Sequence, residues 1–101
     1  MVTVRIAIPM EKIADFCRRW KVREFSLFGS VLREDFRPDS DVDVLVSFER
    51  DSKWSLWDIV RMREELMQFF GRDVDIVEKE AMRNPFRRHE ILRTHQVVYG
   101  G

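Results

Sequence analysis

The stretch Asp41-Val42-Asp43-Val44-Leu45-Val46 constrains this chain more than any other. Valines recur at every second position, and a strand sends alternate side chains to opposite faces. Val42, Val44 and Val46 therefore define one face for burial, while Asp41 and Asp43 project side by side from the other. Two ionised carboxylates held that close repel, and a fold that keeps them usually does so around a cation. The strand runs on to about Phe48 and needs neighbouring strands and a helical cover to bury its valines.

The flanking sequence supplies both. Val2, Val4, Ile6 and Ile8 suggest a short extended lead-in, and Pro9 fits a first helical position. Ile13, Phe16, Cys17 and Trp20 then follow at helical spacing as one apolar face, with Cys17 a buried structural thiol. Val22 to Phe28 reads as a strand that stops at Gly29-Ser30, and Val31 to Phe36 as a short helix ended by Arg37-Pro38-Asp39-Ser40. After a polar loop from Glu49 to Lys53, Ser55-Leu-Trp-Asp58 matches a capping box. The helix it opens is expected to turn Leu56, Ile59, Val60, Leu66, Met67 and Phe70 inward and to end at Gly71. Trp54 and Trp57 read as packing at the start of that helix. Val74, Ile76 and Val77 mark a third strand, and Asn84-Pro85 the N-cap and first residue of a last helix reaching about Thr94. Gln96 to Tyr99 form a possible final edge. The order helix, strand, short helix, strand, helix, strand, helix predicts one α/β (α+β) sandwich, a small mixed sheet with helices packed on it.

Composition narrows the function classes. The chain has 101 residues, room for one domain spanning 1–101, with 18 Lys plus Arg balanced by 18 Asp plus Glu. Bulk electrostatic binding of nucleic acid needs a basic surplus and is not expected. No apolar run approaches the roughly 18 residues that span a bilayer, and the start lacks a cleavage signal. A single cysteine fits a reducing, cytoplasmic setting. The neutral total is uneven: Glu34 to Asp51 holds seven acids against Arg37 and Arg50, whereas Arg83 to His95 holds four Arg against Glu90. Arg83, Arg88, His89 and His95 read as solvated or phosphate-facing residues.

The chemistry concentrates in Phe28-Gly29-Ser30, ten residues, then Asp41-Val42-Asp43. A Gly at a strand end lets phosphate approach the backbone, and a Ser hydroxyl adds a donor. Asp73 and Asp75 form a second Asp-x-Asp in the third strand. If the two strands are neighbours, three carboxylates meet where a pair of Mg²⁺ ions about 3.5–4 Å apart could clamp an in-line phosphoryl displacement. Spacing does not choose between Asp73 and Asp75, since both point the same way.

Phe28-Gly29-Ser30-Val31-Leu32-Arg33 through Arg37-Pro38-Asp39-Ser40-Asp41-Val42-Asp43-Val44-Leu45-Val46 resembles the signature of the minimal nucleotidyltransferases, small members of the DNA polymerase β-like superfamily. Phe70-Gly71-Arg72-x-Val74-Asp75 and Arg88-x-Glu90-Ile91-Leu92 extend the resemblance over nearly the whole chain. It implies that Gly29 and Ser30 hold the phosphates of ATP, and that Asp41 and Asp43 bind Mg²⁺. It further implies that Asp75 is the third metal ligand and helps deprotonate an acceptor hydroxyl. Glu34 stands where many relatives have Gly. Members of this family are commonly antitoxin partners of HEPN-type toxins, and some transfer AMP from ATP onto a toxin tyrosine. The resemblance therefore implies an Mg²⁺-dependent nucleotidyltransferase with a HEPN-type partner. The other readings are a non-catalytic antitoxin acting by stoichiometric binding, and transfer to RNA or a small molecule.

Overall fold

A computed structural model describes residues 8–32, 37 and 40–100. The expected lead-in apart from Ile8, the end of the expected short helix over 33–36 with Glu34, and Pro38 and Asp39 of the turn expected to follow it lie outside these residues. The elements run α1 (Met10–Arg19), β1 (Val22–Phe28), a 3-10 turn (Gly29–Leu32), β2 (Val42–Phe48), α2 (Leu56–Phe70), β3 (Val74–Glu78), a second 3-10 turn (Lys79–Ala81), α3 (Pro85–Thr94) and β4 (Gln96–Gly100). The mixed α/β class is the one expected from the sequence. Pro9 sits one position earlier than expected, at the N-cap of α1. The turn after β1 begins two residues earlier than expected, at Gly29 itself.

The four strands form one sheet in the order β3-β2-β1-β4. β1 is antiparallel to β2 and to β4, whereas β2 and β3 are parallel and joined by α2. A parallel neighbour needs a crossover connection, which is what the helix supplies. Gln96–Gly100, the possible final edge, pairs with β1.

Alternation along the strands sorts the core into two sides. Phe25, Leu27, Val42, Val44, Val46 and Val74 pack with Ile13, Phe16 and Cys17 of α1 and with Met62 and Leu66 of α2. On the other side Phe28 and Leu45 pack with Ile91 of α3. Asp43 shares the parity of Leu45, so its side chain belongs to the side that α3 only partly covers. Truncating a buried residue such as Leu66 to Ala would remove about 2–5 kcal/mol.

The helix ends follow from local chemistry. Ser55 Oγ accepts from the Asp58 amide at 3.3 Å, and Asp58 accepts from the Ser55 amide at 2.9 Å, completing the capping box. The Ser55 amide first, and then the Ser55 hydroxyl, which donates to the same carboxylate at 3.0 Å, hold the Asp58 carboxyl below its ordinary range. Gly71 closes α2 in the left-handed region at φ 69°, its N–H bonded to Met67. Asn84 Oδ1 accepts from the amides of Phe86 and Arg87, with Pro85 at the first turn of α3.

Two expectations about α2 are corrected. Leu56 and Val60 were expected inward, yet Leu56 is 78% exposed and Val60 also lies at the surface. The buried stripe centres on Met62 and Leu66, and Val60 falls roughly 140° around the helix from its middle at 3.6 residues per turn. Leu56 stands in the first turn, before the stripe begins at Ile59. Trp57, expected to pack at the helix start, is 76% exposed, whereas Trp54 does pack. Its indole donates to the Trp20 carbonyl at 2.9 Å, and the two rings meet edge-on with centroids 5.1 Å apart.

Cys17 is buried on α1, and loss of solvent pushes its thiol up to about 12 despite the neighbouring Arg18. At neutral pH almost no thiolate forms, so native protein is expected to resist iodoacetamide. Labelling timed by mass spectrometry should be slow in buffer and fast in denaturant; rapid labelling of the folded chain would contradict this burial.

Candidate active site

Three strands bring the expected site residues to one end of the sheet. β1 ends at Phe28 and passes directly into Gly29, which turns the chain at φ 72°, a conformation that glycine enters without a Cβ penalty. Here the glycine is also a matter of space. A Cβ built on Gly29 would collide with the Asp43 carboxylate, whose Cγ would stand 3.2 Å away. The bare Cα thus forms the cradle in which that carboxylate rests. Ser30 follows and donates its hydroxyl to the Asp41 carbonyl at 3.2 Å, tying the turn to the start of β2.

On the opposite side of β2, the parallel register sets Asp43 against Asp75 and Val42 against Val74. Val42 N–H donates to the Asp73 carbonyl at 2.9 Å, so Asp73 lies just before β3 while Asp75 lies within it. In-register residues of a parallel pair share a face. Asp43 and Asp75 therefore stand side by side on β2 and β3, with Phe28, the last residue of β1, across from Asp43 and Gly29 just beyond it. Asp41 and Asp75 are exposed, and Asp43, Gly29 and Ser30 are half-buried. Among the described residues, no three Asp, Glu, His or Cys side chains gather closely enough to hold one metal ion. The donor chemistry nevertheless suits a hard cation. Asp41, Asp43 and Asp75 offer only oxygen ligands, and two of them are open to solvent.

Arg72 was not singled out from the sequence as a functional residue. Its Nη1 donates to the carbonyls of Arg37 at 3.1 Å and Ser40 at 3.4 Å, fastening the segment that leads into Asp41. The Ser40 amide also closes a turn onto the Arg37 carbonyl at 3.0 Å. A signal was present in Gly71-Arg72-x-Val74-Asp75, but nothing local says that the guanidinium reaches back 35 residues. Arg72→Ala is expected to lower kcat/KM by roughly tenfold to a hundredfold through displaced site residues, with little change in melting temperature. A full loss of folding would show instead that the residue is chiefly structural.

Comparison with known proteins meets this geometry. The family model described as a nucleotidyltransferase domain matches residues 10–98. The chain belongs to the nucleotidyltransferase domain family. As a nucleotidyltransferase it is similar to the protein adenylyltransferase MntA of Thermococcus cleftensis, at 38% identity over 81 residues, which is 80% of this chain and 77% of that protein. Its fold matches a solved toxin–antitoxin with AMP-PNP at a TM-score of 0.74 and 19% identity, covering 93% of this chain and 75% of that one. It also matches a tri-AMPylated Shewanella oneidensis HEPN toxin in complex with its MNT antitoxin, at 0.64 and 18%, covering 91% and 70%. These two likenesses concern the fold.

Proposed function

We propose that this nucleotidyltransferase moves AMP from ATP onto a hydroxyl, that of a tyrosine, on a HEPN-type toxin, and thereby acts as its antitoxin in the cytoplasm. The observation that carries the reading is the register of Asp43 against Asp75, with Gly29 cradling the Asp43 carboxylate. The relative named as a protein adenylyltransferase and the neighbours solved as toxin–antitoxin complexes support the acceptor class.

Gly29 and Ser30 receive the phosphates, the glycine by exposing backbone and the serine by turning its hydroxyl from the Asp41 carbonyl to a phosphate oxygen. Asp41, Asp43 and Asp75 would hold two Mg²⁺ ions, which when bound neutralise the triphosphate and favour a negatively charged attacking oxygen. Asp75 takes the proton of the acceptor hydroxyl. The acceptor oxygen forms a bond to the α-phosphorus, the α–β phosphoanhydride bond breaks, and pyrophosphate leaves with its electron pair. A domain this small encloses little of an acceptor by itself, so a docked protein presents the hydroxyl.

The test is to incubate the chain with ATP, Mg²⁺ and the HEPN-type protein and to weigh the partner. A gain of one or more adenylate masses on a tyrosine supports the proposal. An unmodified partner that is nonetheless neutralised by stoichiometric binding overturns it.

A further inference from the structure

One face of α2 carries apolar side chains that the fold does not use. Met62 and Leu66 press against the valine side of the sheet, and at 3.6 residues per turn Trp57 and Val60 point away from it. Leu56 stands beside them, four residues before Val60. All three are exposed, Leu56 and Trp57 by more than three quarters. Neither the helix cap nor the core needs them, since Ser55 and Asp58 make the cap and the buried stripe begins at Ile59. Single exposed hydrophobic residues are ordinary. A tryptophan, a leucine and a valine side by side form a contiguous patch of the kind that marks contact with another molecule.

Charge and position say what covers it. Glu64 follows the patch on the same outward row of α2, and Lys53 precedes it just before the N-cap. Both are exposed, and neither has an ion pair among the described residues. The row therefore reads cation, apolar, apolar, acid, and a second copy laid antiparallel reads it in reverse. A two-fold axis between Asp58 and Ile59 sets Trp57 opposite Val60 of the second copy and Lys53 opposite its Glu64, and symmetry makes each contact twice. Arg61 falls opposite Leu56, which its aliphatic stem covers. Two such patches with their charged rims approach the roughly 1,200 Å² at which specific interfaces begin, which suits a weak, reversible pair. The acceptor protein fits less well. α2 begins where β2 finishes and returns over 15 residues, about 22 Å, to Gly71, three residues before β3 starts. The patch thus lies at the far end of the domain from Asp43 and Asp75, and on the other side of the sheet. A protein presenting its hydroxyl to Asp75 would have to wrap the domain to touch it. We infer that the Leu56–Trp57–Val60 face of α2 is the interface of a homodimer, with two antiparallel α2 helices at its centre and both transfer sites facing outward.

The experiment is sedimentation of the full chain alone, without nucleotide or toxin, from about 1 to 200 µM. The average mass should rise from one chain toward two across that range. Trp57→Ala, at an exposed position that keeps the fold as checked by thermal melting, should weaken the pairing by about tenfold. Lys53→Glu and Glu64→Lys should each weaken it, and the two together should restore it. A chain that stays monomeric, or a dimer that Trp57→Ala leaves unchanged, would overturn the inference. So would a double charge reversal that pairs no better than the single ones, because the antiparallel register requires the rescue. A monomeric wild type whose Trp57→Ala variant loses affinity for the HEPN-type protein would give the face to that partner and equally overturn the pairing. The dimer does not depend on the transfer reaction, so Trp57→Ala should still modify the acceptor at the wild-type rate.

Discussion

Replacing Asp43 by Asn is expected to abolish nucleotidyl transfer while the protein still folds. Asp43 lies in the second strand of the sheet, between Phe28 of β1 and Asp75 of β3. Asparagine keeps its shape and removes its charge. If the carboxylate is a cation ligand, the loss should reach roughly a thousandfold in kcat/KM, about 4 kcal/mol of transition-state stabilisation. The strand should tolerate the change, because in-register like charges on neighbouring strands oppose pairing and one of them is removed. Melting within about 4 °C of wild type, with transfer at background, is the expected pair of results. Transfer within tenfold of wild type would remove Asp43 from the site.

Gly29→Ala carries the second large effect, and Gly71→Ala is its control. Both glycines occupy the left-handed region, at φ 72° and 69°. The backbone penalty for a side chain there is roughly 1–2 kcal/mol at each. The surroundings differ. A Cβ at Gly71 meets nothing within 4 Å, whereas one at Gly29 strikes the Asp43 carboxylate. Both variants should therefore melt lower, but only Gly29→Ala should lose transfer, by about a hundredfold, as Asp43 and the Gly29-Ser30 turn separate. Equal activity in the two variants would show that the contact between Gly29 and Asp43 is not used.

Much of the fold was legible because its signals are local. Alternating valines, the Ser55–Asp58 capping box, Asn84-Pro85 and the terminal glycine of α2 each act within a few residues, and each appears where local chemistry puts it. The misplaced residues are those whose fate depends on another element. Leu56, Trp57 and Val60 have apolar side chains at plausible helical spacing, but burial is decided by where the sheet lies beneath the helix. The reach of Arg72 was unreadable for the same reason: its partners are carbonyls of a distant segment, and a local motif does not say where a guanidinium goes.

The candidate site divides along the same line. By itself the sequence determined that Asp43 faces away from the valine face of its strand, because side-chain alternation is a property of a single strand, whereas Asp41, expected in the same strand, stands just before β2. It also determined that Gly29-Ser30 follows a strand, and the resemblance of the whole pattern named the family. Only the tertiary structure decided that β3 is the parallel neighbour of β2 in the register that sets Asp43 against Asp75, and that Gly29 lies against the Asp43 carboxylate. Strand order and register arise from the packing of α2 and the valine face, which involve residues far apart in the chain. Periodicity carries no information about which strand lies beside which.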